Sequence, residues 1–188
     1  FDCVAIYLRN NPESRFFSKK GLILGGSHSP SPLNSEAHQG DLSAVLLQNL
    51  NPLVNLIRVP KKPIILMDEW ESKIKAIVEN TWNKDVNSLS GVPSWMLVLI
   101  KAVLKKTGRE YLTDVWPNLE VFFHGGISFE PYREQYKTLI PSNKMHYMET
   151  YNASEGFFGL QDDPTDPSLL MMPDYGIFYE FIPMNEVG

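Results

Sequence analysis

Cysteine is almost absent from this sequence, and its histidines are not grouped. The chain of 188 residues has one cysteine, Cys3, which cannot form an internal disulfide. The four histidines, His28, His38, His124 and His146, are scattered, and no C-x-x-C pair occurs, so the spacings of a zinc site are missing. Because unpaired thiols are typical of reducing compartments, the sequence predicts a cytoplasmic protein.

Long apolar runs and concentrated basic charge are also missing. The longest apolar run, residues 95–100, is far shorter than the roughly 20 residues that a membrane helix needs, and no basic-then-apolar leader opens the chain. The net charge is -5 and 43% of the residues are hydrophobic. Mild acidity without a basic stripe argues against nucleic acid as a partner. These observations predict a globular protein with neither a membrane nor a nucleic acid as its partner.

Two catalytic signatures are absent as well. The triplet His124-Gly125-Gly126 resembles an oxyanion loop, but no G-x-S-x-G nucleophile elbow occurs, which excludes an α/β-hydrolase. Gly25-Gly26-Ser27 follows a predicted strand, yet no lysine stands where a P-loop requires one. A plain loop is therefore favoured there over a phosphate cradle.

What the sequence does contain is buried strands alternating with amphipathic helices. Asp68 and Ser128 are predicted N-caps for two of the helices. An irregular loop is expected over residues 29–40. The predicted strands are 21–24, 86–89, 119–123, 145–149, 169–172 and 177–182, and the predicted helices are 42–50, 70–78, 95–104 (buried) and 128–139.

This order predicts an α/β fold with a mostly parallel sheet and flanking helices. Strand, turn, helix, strand and turn follow one another between residues 119 and 156, which is the order of a βαβ unit. The turns at residues 124–126 and 151–156 should then open on the same edge of the sheet. Ligands collect at the carboxyl ends of strands in such sheets, so the two turns are expected to border one cleft.

The segment 151–159, with the sequence YNASEGFFG, allows two interpretations. In one, it is a tight turn in which Gly156 has a positive φ while Phe157 and Phe158 fill the core. In the other, the Ser154 hydroxyl, the Glu155 carboxylate and a flat aromatic ring form a site for a nucleotide with Mg²⁺. The segment itself does not decide between them.

Three motifs carry a resemblance that extends the second interpretation. The segment 151–159 (YNASEGFFG), then 172–174 (MPD) and 178–183 (FYEFIP), resembles the auxin-responsive (Gretchen Hagen) acyl acid-amido synthetases. That family belongs to the adenylate-forming superfamily of luciferases and acyl-CoA synthetases. The resemblance is strongest over residues 91–183 and implies part of the large N-terminal domain of such an enzyme.

The resemblance implies a two-step reaction that uses ATP and Mg²⁺. A carboxylic acid attacks the α-phosphate of ATP to give an acyl-adenylate, and an amino acid then displaces AMP to form an amide. Ser154 and Glu155 would be the catalytic residues, and Glu155 would hold Mg²⁺, because a carboxylate suits a hard cation. The residues implied in nucleotide binding are Gly125, Gly126, Tyr151 (stacked on adenine), Asn152, Ala153 and Ser154.

The acyl pocket is implied at Val92 and Phe157. Phe157 lies two positions after Glu155, so an extended chain would place both side chains on the same side. The alternative is that Phe157 is an ordinary core residue.

The sequence departs from the family pattern in several places. Residues 178–181 read Phe-Tyr-Glu-Phe where the family has Tyr-Phe-Glu-Phe, and Asn152 replaces a glycine found in many relatives. The phosphate loop is expected upstream of Phe1, and the lid with its lysine beyond Gly188. Residues 1–188 are therefore predicted to be one partial domain. An acyl-CoA ligase of the same superfamily and a non-catalytic nucleotide- or carboxylate-binding module remain alternative functions.

Overall fold

Short apolar strands separated by helices form the centre of the computed structural model, which describes residues 2–30 and 38–186. The strands are β1 (Lys20–Leu24), β2 (His28–Pro30), β3 (His38–Gly40), β4 (Arg58–Val59), β5 (Val86–Gly91), β6 (Val121–Gly125), β7 (His146–Ala153), β8 (Gly156–Leu160) and β9 (Leu170–Met171). The helices are α1 (Asp2–Asn10), α2 (Leu42–Gln48), α3 (Val54–Ile57), α4 (Lys62–Ile65), α5 (Trp70–Thr81), α6 (Pro93–Thr107), α7 (Leu112–Val115) and α8 (Arg133–Leu139). Short 3₁₀ turns cover Phe16–Ser18, Glu130–Tyr132 and Met184–Glu186.

Seven strands form one sheet in the order β4-β1-β5-β6-β7-β8-β9. The first five are parallel to one another, and β8 and β9 continue the sheet in antiparallel register. β2 and β3 pair separately. The predicted α/β class with a mostly parallel sheet and flanking helices is confirmed.

Both faces of the parallel strands are covered by helices. On one face, Leu22, Leu89 and Phe122 pack in a large core with side chains from α5, α6, α7 and α8. On the other face, Tyr7 of α1 packs with Val121 of β6 and Met148 of β7. Parallel strands buried on two sides need continuous apolar runs, which is why these strands were visible in the sequence.

Helix α6 confirms most of the prediction for residues 95–104 and corrects one part of it. Pro93 starts the helix, and Gly108 ends it with a φ of 65°, as a proline at the first turn and a glycine at the C-cap favour. The expectation that the helix is buried all round is wrong. Trp95 is 37% exposed and Val98 46% exposed, because only one side of the helix faces the sheet.

The two predicted N-caps are wrong. Glu69 rather than Asp68 caps α5, and its carboxylate accepts hydrogen bonds from the N–H groups of Glu71 and Ser72. The helix predicted at residues 128–139 is a 3₁₀ turn followed by α8, which begins only at Arg133. The proline at position 131 constrains the residue before it and lacks an N–H, so a regular α-helix starts after it.

The last predicted strand, residues 177–182, is also wrong, and the one before it is reduced to Leu170–Met171. Phe178 is 86% exposed, Phe181 75% and Ile182 67%. An aromatic, β-branched composition favours extended backbone but cannot replace a pairing partner, and no strand in the described part of the chain pairs with this segment. In the expected irregular loop 29–40, the ends pair as β2 and β3, and residues 31–37 lie outside the described residues.

Candidate active site

The carboxyl ends of four parallel strands line one cleft. β1, β5, β6 and β7 end side by side, and a cavity of about 420 Å³ runs along their ends. This volume falls within the range of small-molecule sites. The residues lining it come from these strand ends and from the start of α2 and α6: Leu24, Asp41, Leu42, Ser43, Ser90, Gly91, Val92, Trp95, Phe123, His124, Gly125, Gly126, Thr150, Asn152, Ala153 and Ser154.

Gly125 and Gly126 form a wall of bare backbone in this cleft. A Cβ atom on Gly125 would lie 2.3 Å from the carbonyl oxygen of Thr150, so the approach of β6 to β7 requires a glycine. Gly126 has a φ of 83°, in the left-handed region that favours glycine. The predicted turn after β6 is therefore present, and a ligand can approach its backbone closely.

The motif YNASEGFFG forms a β-hairpin rather than a long turn. β7 continues to Ala153, Ser154 and Glu155 make the two-residue connection, and β8 begins at Gly156. The expectation of a positive φ at Gly156 is wrong. This glycine instead lies close to a side chain, since a Cβ there would lie 2.5 Å from Cδ1 of Ile177.

The hairpin divides the predicted nucleotide-binding residues into two groups. Asn152, Ala153 and Ser154 line the cleft together with Gly125 and Gly126. Tyr151 is not among the lining residues; it is 57% exposed, and its ring centroid lies 5.1 Å from that of Phe158. The stacking of Tyr151 on adenine stays a prediction, for which the ring has an accessible surface.

The two residues predicted for the acyl pocket are also separated. Val92 lines the cleft beside Trp95. Phe157 pairs with Asn152 across the hairpin, and its ring centroid lies 5.7 Å from that of Tyr175, outside the cleft lining. Phe157 is only partly buried, so the alternative of a core residue is not favoured either, and its acyl contact stays a prediction.

Glu155 is exposed at the tip of the hairpin, next to Ser154. Over residues 2–30 and 38–186, no group of three or more His, Cys, Asp or Glu side chains could hold a metal ion by itself. A single accessible carboxylate fits Mg²⁺ that arrives with a nucleotide, because Mg²⁺ is commonly held by one or two carboxylates together with substrate phosphates.

The turn after β1 carries an interaction that the sequence analysis missed. Nζ of Lys73 donates hydrogen bonds to the carbonyl oxygens of Gly25, at 2.7 Å, and Gly26, at 3.1 Å. The N–H groups of Gly26 and Ser27 are also used, by the hydroxyl of Ser43 and the carboxylate of Asp41. Since these N–H groups bind protein atoms, the plain-loop interpretation of this turn is favoured over the phosphate cradle.

The sequence does contain a signal for the hydrogen bonds that Lys73 makes to this turn. Lys73 lies between Trp70, Ile74 and Ile77 on the apolar face of α5, and only 3% of it is exposed. A lysine on an apolar helix face must find acceptors inside the protein. Burial lowers the pKa of the Lys73 ammonium, and the charge of Asp41 opposes that shift.

His124, at the end of β6, is buried beneath the cleft. It is 3% exposed, its ring stacks on Phe129 with a centroid distance of 4.2 Å, and its Nδ1 is buried without a partner among the described residues. Burial, with a smaller contribution from Arg133, lowers the pKa of the imidazole to about 3. His124 is therefore a neutral packing residue, and its carbonyl oxygen accepts a hydrogen bond from the Thr150 hydroxyl.

The sequence of this chain matches the profile of the GH3 family N-terminal domain over residues 3–145. The match covers more than half of the chain. The chain belongs to the GH3 (Gretchen Hagen 3) family. This confirms the resemblance to the acyl acid-amido synthetases that the motifs at residues 151–183 indicate.

The GH3 chain also has a structural neighbour among adenylation domains. The crystal structure of the Vibrio cholerae adenylation domain AlmE, in complex with glycyl-adenosine-5'-phosphate, is similar with a TM-score of 0.43 and 10% sequence identity. The similarity covers 89% of the GH3 chain and 27% of the AlmE chain. No curated protein sequence matches the GH3 chain. Among the described residues, no helix is long and apolar enough to cross a membrane.

Proposed function

We propose that the full-length protein adenylates a carboxylic acid with ATP and then transfers the acyl group to the amine of an amino acid. The observation that carries the proposal is one cleft in which the bare Gly125-Gly126 turn faces the end of β7 at Asn152, Ala153 and Ser154. GH3 membership supports an adenylate-forming ligase in general. The carboxylic acid substrate and the amine acceptor are our proposal beyond this general activity.

Each side chain has a physical task in the first step. The backbone at Gly125 and Gly126 lets the adenosine lie close to the sheet edge, because no Cβ stands in the way. The Ser154 hydroxyl donates a hydrogen bond to an oxygen of the α-phosphate, which gains negative charge as the acid attacks. The exposed ring of Tyr151 offers a flat apolar face to the adenine.

Glu155 is the residue that would hold Mg²⁺ beside the phosphates. When bound, the ion supplies neutralisation of the charge that develops during displacement of pyrophosphate. Glu155 contributes a carboxylate at the hairpin tip, one residue from Ser154, and keeps that charge accessible to solvent. The acid itself would extend along the apolar walls at Val92 and Trp95.

We also propose that residues 1–188 are part of a larger adenylation domain whose phosphate loop and lysine-bearing lid lie outside this sequence. Without that loop and lid, the isolated chain should show no adenylation and weak nucleotide affinity, since catalysis needs all of these groups in position. ATP–pyrophosphate exchange by the isolated chain would contradict this proposal, because residues 1–188 would then hold every group that adenylation requires.

The proposal is tested by acid-dependent ATP–pyrophosphate exchange in the full-length protein with the variant Glu155→Gln. Glutamine keeps the shape but removes the charge, so exchange should fall on the order of a hundredfold to a thousandfold, as for other electrostatic groups in active sites. Glu110→Gln, which changes an exposed glutamate outside the cleft lining, is the control and should leave exchange unchanged. Equal exchange by Glu155→Gln and wild type at low Mg²⁺ would contradict the role of Glu155.

The acceptor is tested separately by product analysis. The adenylated protein is supplied with a mixture of amino acids or with coenzyme A, and the products are identified by mass spectrometry. An amide supports the acid-amido synthetase, whereas a thioester would identify an acyl-CoA ligase. Nucleotide binding without any exchange would indicate a non-catalytic binding module.

A further inference from the structure

The end of the cleft nearest β1 carries a charged side chain. Asp41 and Ser43, at the start of α2, line this end, while Val92 and Trp95 form apolar wall beside it. Asp41 is the only acidic side chain in the cleft lining, over the part of the chain that the structure describes. A single carboxylate in a cleft whose other lining side chains are uncharged can act as a specificity element, because binding sites use a few placed polar groups to fix orientation.

The Asp41 side chain is held in place by hydrogen bonds to the turn after β1. Its Oδ2 accepts a hydrogen bond from the N–H of Ser27 at 2.9 Å, and its own N–H donates to the carbonyl of Ser27 at 3.1 Å. The hydroxyl of Ser43 accepts a hydrogen bond from the N–H of Gly26 at 2.7 Å. Asp41 therefore has little freedom to turn away, and a ligand need not order it on binding.

Lys73 fixes the same turn from its buried side. Its ammonium donates to the carbonyls of Gly25 and Gly26, so it lies behind the turn. Because only 3% of Lys73 is exposed, it offers no surface to a ligand, and Lys73 is absent from the cleft lining. The acidic group that meets the ligand at this end is thus Asp41. A carboxylate has about four acceptor positions, so it can accept from a ligand as well as from Ser27.

The strand order sets where along a bound acid this contact falls. β1 and β7 are separated by β5 and β6, and three strand spacings of nearly 5 Å amount to about 14 Å. Asp41 therefore lies at the opposite end of the cleft from Ser154.

We propose that the acid substrate carries a hydrogen-bond donor, a hydroxyl or an ammonium group, at the end remote from its carboxyl, and that Asp41 accepts this bond. The inference rests on the proposed adenylation of a carboxylic acid. It makes Asp41 a specificity-determining residue that touches the substrate but not the reacting atoms.

The test compares acids of equal shape that differ in their terminal group. Acid-dependent ATP–pyrophosphate exchange of the full-length protein is measured with 4-hydroxyphenylacetate against 4-methylphenylacetate, and with 6-hydroxyhexanoate against heptanoate. A hydrogen bond to a charged acceptor should raise kcat/KM for the hydroxylated member of a pair by about tenfold to a hundredfold. This comparison needs no variant, so it does not depend on a substitution folding correctly.

The variant Asp41→Asn assigns the preference to its residue. The amide oxygen can still accept from the N–H of Ser27, whereas the amide nitrogen turns a donor toward the cleft. The ratio of kcat/KM between the hydroxylated and methylated acids should then fall to about one or reverse. Asp114→Asn is the matched control, because Asp114 is exposed on α7 and is not part of the cleft lining, and it should keep the wild-type ratio.

The outcomes separate this inference from the proposed function. Exchange that is equal for both members of each pair, or greater for the methylated members, overturns the inference and leaves adenylation intact. A preference that survives in Asp41→Asn also overturns it. No exchange with any carboxylic acid overturns the proposed function and the inference together.

Discussion

The parallel and antiparallel halves of the sheet are built in different ways. The parallel strands β1, β5 and β6 lie between helices, and central residues such as Leu22, Leu89 and Phe122 have no exposed surface. The antiparallel strands β8 and β9 have no such cover over much of their length. The aromatic side chains of β8 pack on aromatic residues of neighbouring segments, Phe158 on Tyr151 of β7 and Phe157 on Tyr175, and Leu170 and Met171 of β9 are exposed.

The two lips of the cleft therefore differ in how much buried structure supports them. The Gly125-Gly126 lip ends a strand of the buried half, while the Ser154-Glu155 lip is the tip of the thin hairpin. Local stability follows the density of buried apolar contacts. We therefore expect the glycine lip to act as a rigid wall and the hairpin lip to open at lower free energy.

The largest expected effect comes from truncating one aromatic residue in each half. Phe122→Ala should lower the free energy of unfolding by about 3–5 kcal/mol, because the ring is fully buried and stacks on Tyr136 at 5.2 Å. Phe158→Ala should cost about 1–2 kcal/mol, since Phe158 is only partly buried. Urea unfolding of the two variants measures both values, and equal losses would remove the distinction between the halves.

The second prediction adds one methyl group to each lip. In Gly125→Ala the Cβ meets the backbone oxygen of Thr150 at 2.3 Å, so β6 and β7 must separate at a cost of about 1–3 kcal/mol. In Gly156→Ala the Cβ meets Cδ1 of Ile177 at 2.5 Å. That atom is the far end of a flexible side chain, so the loss should be under about 1 kcal/mol.

The melting temperature and the exchange activity should both be lower in Gly125→Ala than in Gly156→Ala. Gly125→Ala should lose exchange because it fills the bare wall, whereas Gly156→Ala should keep most of its stability. A larger destabilisation by Gly156→Ala would mean that the hairpin lip is the more constrained one.

Acidity should also act on the buried half of the sheet. The pKa of His124 falls from 6.5 to about 3 on folding because its ring is buried. Between these values the unfolded chain binds more protons than the folded chain, so stability should decrease as the pH is lowered from about 6.5 toward 3. The slope due to this group is at most about 1.4 kcal/mol per pH unit.

His124→Phe keeps a flat ring on Phe129 and removes the titrating group. The difference in unfolding free energy between wild type and variant, measured by urea at several pH values, isolates the histidine contribution because the other groups largely cancel. At acidic pH, the free energy of unfolding of the variant should rise relative to that of the wild type. A difference that does not change with pH would show that His124 is accessible to protons in the folded state.

Much of the architecture was predictable because buried parallel strands leave continuous apolar runs. The strand at residues 86–89 and the helix at 70–78 are both observed, with ends that shift by a few residues. The errors arose where residues outside the immediate motif decide the local structure. Residues 177–182 have the composition of a strand but no pairing partner within residues 2–30 and 38–186, and Ser128 has the chemistry of a cap but is followed by a proline at 131.

The features of the candidate site also fall into those that the sequence could predict and those that it could not. Segment 151–159 could be picked out from the sequence because it holds an unusual group of a hydroxyl, a carboxylate and aromatic residues next to a strand, and its resemblance led to the GH3 family. That Asn152, Ala153 and Ser154 share a cleft with Gly125 and Gly126 followed from the rule that parallel strands end at one edge. The exposure of Tyr151 and the placing of Phe157 against Tyr175 did not follow.

The sequence by itself determined the fold class, the cleft edge and the family, because hydrophobic periodicity and local motifs are properties of neighbouring residues. Only the tertiary structure decided that Lys73 braces the turn at Gly25 and that Asp41 forms the far end of the cleft. These contacts join residues 48 and 14 positions apart. A buried ammonium and a held carboxylate depend on which elements pack together, and that packing minimises unpaired polar groups over the whole chain rather than within any one segment.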